Sequence, residues 1–284
     1  MRRIIVLNQK GGVGKTTTVA NLGACLAERG RSVLLVDADP QANLSLHLGL
    51  ELERGEPSLY SLLLGEDDAG AVIHATDVES LSIIPASIDL AGLSVELTDK
   101  RRRLFALRGA LERLPHPFDY VLIDSPPSLG LLTLNGMCAA REVFIPLQTE
   151  FFALQGVGKL MRTVRRVRSG VNKHLRVTGV IACMHDARTC LAQEILDEIK
   201  GHFGRRVFGT VIRKNIRLAE APGFGLPISQ YDPHCHGAED YRALAGEVIA
   251  MEAPTARRPR RTIPIELPAP ERTLPAGAYG RKAG

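Results

Sequence analysis

The chain contains no tryptophan, and aromatic residues make up only 5% of its 284 positions. Stacking of bases on aromatic side chains is therefore not expected, and any contact with nucleic acid should run through the phosphate backbone. Cysteine is sparse as well. The five, at positions 25, 138, 183, 190 and 235, form no C-x-x-C pair and no regular framework, which argues against disulfides and against zinc or iron–sulfur sites and for reduced, structural thiols. Adjacent residues of an extended chain point to opposite faces, so His234-Cys235-His236 reads as surface loop rather than metal site. No apolar run is long enough to span a bilayer. Met1-Arg2-Arg3 and the four apolar residues after it are too short for a signal-peptide core, so the expected location is the cytoplasm. Net charge is also missing from most of the chain: the formal +5 resides beyond Ala253, where seven basic residues face two acidic ones, and the remainder is balanced. Attraction of the folded part to a polyanion must come from local patches.

What is present is an alternation of apolar, β-branched segments with helical patterns, the mark of repeated βαβ units. Strands are expected at 3–8, 32–37, 81–85, 119–124, 142–147, 176–183 and 207–212, several of them apolar on both faces and hence covered by helices on each side. The spacing of Val19, Leu22 and Leu26 predicts a helix over 16–29 that Gly30 ends. A second helix, over 190–203, places Leu191, Ile195, Ile199 and Phe203 on one stripe. A third buries Leu160, Val164, Val167 and Val171 and turns Lys159, Arg162, Arg165, Arg166 and Arg168 to water, either as a solvated face or as a supplementary surface for DNA. The expected fold is α/β, a doubly wound and mostly parallel sheet with helices on both faces, occupying residues 1–252. Six prolines and four closely spaced arginines mark 253–284 as a disordered basic tail.

One segment carries chemistry. NQKGGVGKTTT, residues 8–18, follows the apolar run Ile4-Ile5-Val6-Leu7 and almost matches the phosphate-binding pattern G-x-x-x-x-G-K-[ST]. Gly14-Lys15-Thr16 fits, but Gln9 stands where the first glycine belongs, and a second lysine, Lys10, follows it. Between a strand and a helix, the backbone N–H groups of Gly11, Gly12, Val13 and Gly14, continuing through Thr16 and Thr17, would face a phosphate at the positive end of the helix dipole. Lys15 would reach the β- and γ-phosphates, and the Thr16 hydroxyl would ligate Mg²⁺. The metal also needs a carboxylate at the same sheet edge. VLIDSPPS offers Asp124, and VLLVDADPQ offers Asp37 and Asp39.

KGGVGKTT, DADPQ and IDSPPSLG together resemble the ParA/Soj partitioning branch of the deviant Walker A ATPases, the MinD/ParA superfamily of P-loop proteins. IIPASIDLAG, EFFALQGV, RLAEAPGFGLPI and YDPHCHGAEDYRALAGEV extend the resemblance from residue 3 to about 250. The resemblance implies a slow ATPase that uses ATP and Mg²⁺ and forms an ATP-dependent sandwich homodimer. Lys10 would cross the interface to the partner's nucleotide while Lys15 clamps its own, which explains two adjacent lysines in one loop: the partner's triphosphate supplies the second with a counter-charge. Asp39 would orient the attacking water near the metal, Asp124 would hold Mg²⁺ through water, and Asp37 would serve the magnesium shell or the strand end. Where relatives carry Pro-Arg-Asn near the base, this chain has Arg213-Lys214-Asn215, and only Asn215 carries over. Met184 is read as a core residue or a packing surface for the base. Arg188 and Arg217 match the arginines by which the family binds double-stranded DNA without sequence specificity, and a ParB-type protein is the implied activator, in a nucleoid-associated setting. A MinD-like membrane role would need an amphipathic C-terminal helix, which the prolines forbid. A nitrogenase-iron-protein role would need cluster cysteines. The alternative retained is ATP-gated positioning or regulation of a protein cargo.

Overall fold

The computed structural model describes residues 1–97 and 102–252; the tail read over 253–284 lies outside the described residues. The chain runs β1 (Arg2–Val6), α1 (Lys15–Glu28), β2 (Val33–Asp37), α2 (Asn43–His47), α3 (Leu59–Leu64), β3 (His74–Ala75), β4 (Leu81–Ile84), α4 (Leu93–Glu96), α5 (Ala106–Glu112), β5 (Tyr120–Asp124) and α6 (Leu131–Ala139). It continues through β6 (Glu142–Gln148), α7 (Val157–Gly170), β7 (Arg176–His185), α8 (Cys190–Phe203), β8 (Val207–Arg213), α9 (Arg217–Glu220), α10 (Ile228–Tyr231) and α11 (His236–Ala250). The strands form one sheet in the order β3-β4-β2-β5-β1-β6-β7-β8. Every pairing is parallel except that of the two-residue edge strand β3 with β4.

Alternation along the strands divides the core into two layers. Ile4 and Val6 of β1 pack with Val33 and Leu35 of β2 under α1 and α11, through Val19, Leu22, Leu26, Tyr241 and Leu244. Ile5 and Leu7, with Leu34 and Val36, pack on the opposite face against Met137 of α6, Leu160 and Val164 of α7 and Ile199 of α8. Burial on both faces is why the central strands read as unbroken apolar runs. All seven expected strands and all three expected helices are present. Two expected core residues are not in the core. Leu191 is 47% exposed in the first turn of α8, where Ala192 faces inward instead, and Val171 is 40% exposed because α7 has already ended at Gly170.

Crossovers fix where a ligand can sit. The α1 crossover leaves β1 toward β2 on one face, whereas α6 leads from β5 to β6 on the other, so the carboxyl end of β1 opens between chain segments departing in opposite directions. Ligands of open parallel sheets gather at such a point.

Candidate functional site

The loop after β1 turns in a left-handed conformation at Gly12 (φ 71) and Gly14 (φ 87). An added Cβ on Gly11, Gly12 or Gly14 would touch nothing within 4 Å, so the backbone conformation rather than crowding requires glycine at 12 and 14, and the space above the loop is open. Gly14 caps α1 and no side chain bonds to the exposed N–H groups of the first turn, which leaves them for an anion. Lys15 is buried with its ammonium 3.4 Å from the Lys10 carbonyl. Burial lowers its pKa, and the charges of Asp124 and Asp39 oppose that.

Parallel pairing sets Asp37 of β2 directly beside Asp124 of β5, both fully buried. Burial pushes the Asp124 carboxyl up to about 7, with the neighbouring Asp37 charge adding to it; the Thr16 hydroxyl, which donates to Asp124 Oδ2 at 2.6 Å, and Lys15 pull the other way. Burial raises Asp37 to about 6, but its oxygens are already engaged by the Ser45 N–H (2.9 Å), the Ser45 hydroxyl (2.8 Å) and the Asp39 N–H (3.2 Å). Asp37 thus anchors α2 to the strand end, whereas Asp124 accepts the Ser125 N–H at 3.0 Å and the Thr16 hydroxyl and is the carboxylate paired with the phosphate loop. Thr16 and Asp124 offer only oxygen donors, as Mg²⁺ prefers. Among the described residues no group of three or more His, Cys, Asp or Glu could hold a metal unaided. A magnesium ion here would complete its shell with phosphate and water oxygens, its usual habit in nucleotide sites. The residues present therefore fit Mg²⁺. Asp39 lies at the mouth, half-buried, its carboxylate accepting the Gln41 N–H at 3.1 Å.

The two lysines point apart. Lys10, its side chain 42% exposed, donates to Gln148 Oε1 at 2.7 Å and meets Glu150 at 3.4 Å. Gln148 in turn donates to the Gly12 carbonyl at 3.0 Å, and Asn8 ties the loop to the Pro146 carbonyl at 2.7 Å. The end of β6 therefore braces the loop, a role invisible in sequence because it depends on β6 lying beside β1. Met184 is not a core residue. At φ 53 it is 37% exposed, and its sulfur accepts from the Gln148 amide. It lines a 250 Å³ cavity with Phe151, Leu191 and Lys214, next to Glu150.

The expected residues Gly11, Gly12, Val13, Gly14, Lys15, Thr16, Thr17, Asp39 and Asp124 converge on the crevice at the carboxyl end of β1, with Lys10 at its rim; the other three do not. Asn215 caps the turn after β8 through the Arg217 N–H at 2.8 Å. Arg213, from the departed motif, turns to α11 and pairs with buried Asp240 at 2.6 Å. Arg188, on the loop after β7, is held by Asp186 at 2.7 Å, and Arg217, at the start of α9, by Glu220 at 2.8 Å, both exposed at the same sheet edge. Two joints tie the Arg217 segment to the crevice. Asn21, which bonds the Thr17 carbonyl at 2.8 Å, accepts the Ile228 N–H at 2.6 Å. Gly49, just past α2, lies backbone to backbone with Gly225, where an added Cβ would come 2.7 Å from the Gly49 Cα.

A glycine loop feeding a helix, a buried lysine and a threonine–aspartate pair at the switch point define a P-loop nucleotide-binding protein, with an extra lysine at the loop's rim. A family model described as an AAA domain matches residues 1–177. The chromosome-partitioning ATPase Soj of Treponema pallidum is 50% identical over 251 residues, 88% of this chain and 98% of that one. The chromosome partitioning protein ParA of Caulobacter vibrioides is 47% identical over 254 residues, 89% of this chain and 95% of the relative. Among solved structures, the cobyrinic acid a,c-diamide synthase of Mycobacterium smegmatis with bound ATP analogue and magnesium superimposes with a TM-score of 0.78 at 38% identity, covering 88% of this chain and 94% of that one. The chain belongs to the Soj/ParA family of partitioning ATPases.

Proposed function

We propose that this protein is an ATP-driven dimer switch for DNA segregation. ATP with Mg²⁺ binds in the crevice, with loop N–H groups and Lys15 on the phosphates and Thr16 and Asp124 toward the metal. A magnesium ion held beside Thr16 and Asp124 would supply charge neutralisation to the phosphates. Asp39 positions the water that attacks it. Lys10 reaches the partner's triphosphate and so makes the dimer depend on ATP. Paired copies bind double-stranded DNA without sequence preference through Arg188 and Arg217, and a ParB-type partner stimulates hydrolysis, releasing both. Residues 253–284 form a separate basic extension in this reading, and the setting is the cytoplasm at the nucleoid; among the described residues no helix is long and apolar enough to cross a membrane.

The observation that carries this reading is the outward course of Lys10, held at the rim by Gln148 and Glu150 while Lys15 fills the loop. The exposed apolar side chains Phe151, Phe152, Ile216 and Phe224 at the same edge support a face that meets another copy. Nucleotide binding and light scattering test it on two variants. Lys15→Ala should lose nucleotide, whereas Lys10→Ala should retain nucleotide but scatter as a monomer with ATP. Normal ATP-dependent dimers of Lys10→Ala would refute the assignment.

A further inference from the structure

Between Glu150 and Asp186 the chain has no acidic residue but seven lysines and arginines: Lys159, Arg162, Arg165, Arg166, Arg168, Lys173 and Arg176. All seven are exposed, and none makes an ion pair among those found in the described residues. That sets them apart from Arg188 and Arg217, each of which already has a carboxylate. In a region, residues 1–252, whose charges balance overall, this is a concentrated positive field. Arg165, Arg168 and Lys173 also converge with Ser169 on an open hollow of about 410 Å³, where three cations and a hydroxyl face the same space.

The platform is rigid. Leu160, Val164 and Val167 bind α7 to the sheet, and the Asn172 amide at its end donates to the Met137 and Ala140 carbonyls of the α6 terminus at 2.8 and 2.7 Å. Neither joint involves the phosphate loop. The flank toward α6 is free of acid from Ser125 to Arg141, whereas α8, on the other side, carries exposed Glu194, Asp197 and Glu198. A polyanion is thus admitted over α6 and α7 and turned away from α8. Val171 in the turn is the one large apolar side chain exposed on α7 and the turn after it, too little to enter a lipid bilayer, and arginine, with its planar fork, supplies most of the cations, as phosphate recognition favours.

We propose that α7 and the turn after it form a second DNA-backbone surface, distinct from the Arg188/Arg217 edge, whose contacts are the same with either nucleotide and are too weak in a single copy to hold DNA once hydrolysis separates the pair. The proposal rests on the DNA-binding reading above, and the test separates the two. Fluorescence anisotropy of a labelled duplex would be followed across salt concentrations, with ADP and with a non-hydrolysable ATP analogue, for the full chain, for Arg165→Gln/Arg168→Gln/Lys173→Gln, and for Arg188→Ala/Arg217→Ala. The triple variant should bind about tenfold more weakly in both nucleotide states, its log–log salt slope shallower by about 2.7 for three phosphate contacts. Its thermal midpoint, ATP-dependent dimerisation and basal phosphate release should be unchanged. The Arg188/Arg217 variant should lose only the ATP-dependent gain. An unchanged affinity and slope in the triple variant, with wild-type protein binding DNA, would overturn the α7 surface alone. Wild-type protein that fails to bind duplex in any state would overturn the DNA reading and this surface with it. Loss of binding to phosphatidylserine vesicles with intact DNA binding would assign α7 to membranes and overturn the proposal.

Discussion

Single side chains decide the chemistry because the sheet edge places like charges together. Asp37 and Asp124 lie opposed and buried; Asp37 takes three donors from the segment running from β2 into α2, whereas Asp124 takes the Ser125 N–H and the Thr16 hydroxyl, which separates the acid that anchors α2 from the acid paired with the phosphate loop. Asp39 to Ala leaves both in place, so ATP-bound dimers should persist while phosphate release falls about a hundredfold; release at the wild-type rate would remove Asp39 from the mechanism. His47 makes a separate prediction. It is 1% exposed, its Nε2 has no hydrogen-bond partner, and burial lowers its pKa from 6.5 to about 4. The unfolded chain takes up this proton first, so the folded state is intact above pH 6.5 and loses stability as pH falls toward 4, by about 1.4 kcal/mol per unit. Urea titrations from pH 7 to 4.5 should show a steeper loss for wild type than for His47→Gln; parallel curves would mean that His47 is not the group responsible.

Elements determine which residues can meet. The segment bearing Arg217 is joined to the nucleotide side where Gly225, at φ 68, touches Gly49. Gly225→Ala combines a disfavoured conformation with a backbone clash and should cost about 2–4 kcal/mol, read as a lower urea midpoint at unchanged slope. Stability equal to wild type would show that the two loops part readily. The long strands were legible because parallel strands covered on both faces must be continuously apolar, and the loop because glycine and lysine spacing is itself the phosphate cradle. β3 was not, since two residues at an antiparallel edge have no period to read. Leu191 and Val171 fit the stripe on paper, but helix ends reach past the sheet. Gln148, Asn8 and Ser45 gave no signal, because their roles arise from strand order that brings distant segments into contact. Met184, one residue past the strand expected over 176–183, lies within β7 yet turns outward at a left-handed backbone position.

At the scale of the whole molecule, one copy of the chain brings together the glycine loop, Lys15 and the carboxylates of Asp37, Asp39 and Asp124, but Lys10 turns to Gln148 and Glu150 at the rim. The central claim is that Lys10 completes the partner's site. Mixing Lys10→Ala with Lys15→Ala subunits tests this most directly, since the first keeps a competent pocket and the second keeps the crossing lysine. Phosphate release from the equimolar mixture should clearly exceed the sum of the two variants measured alone, because each mixed pair contains one complete site. A mixture no more active than that sum would show that Lys10 serves its own subunit and would contradict the account.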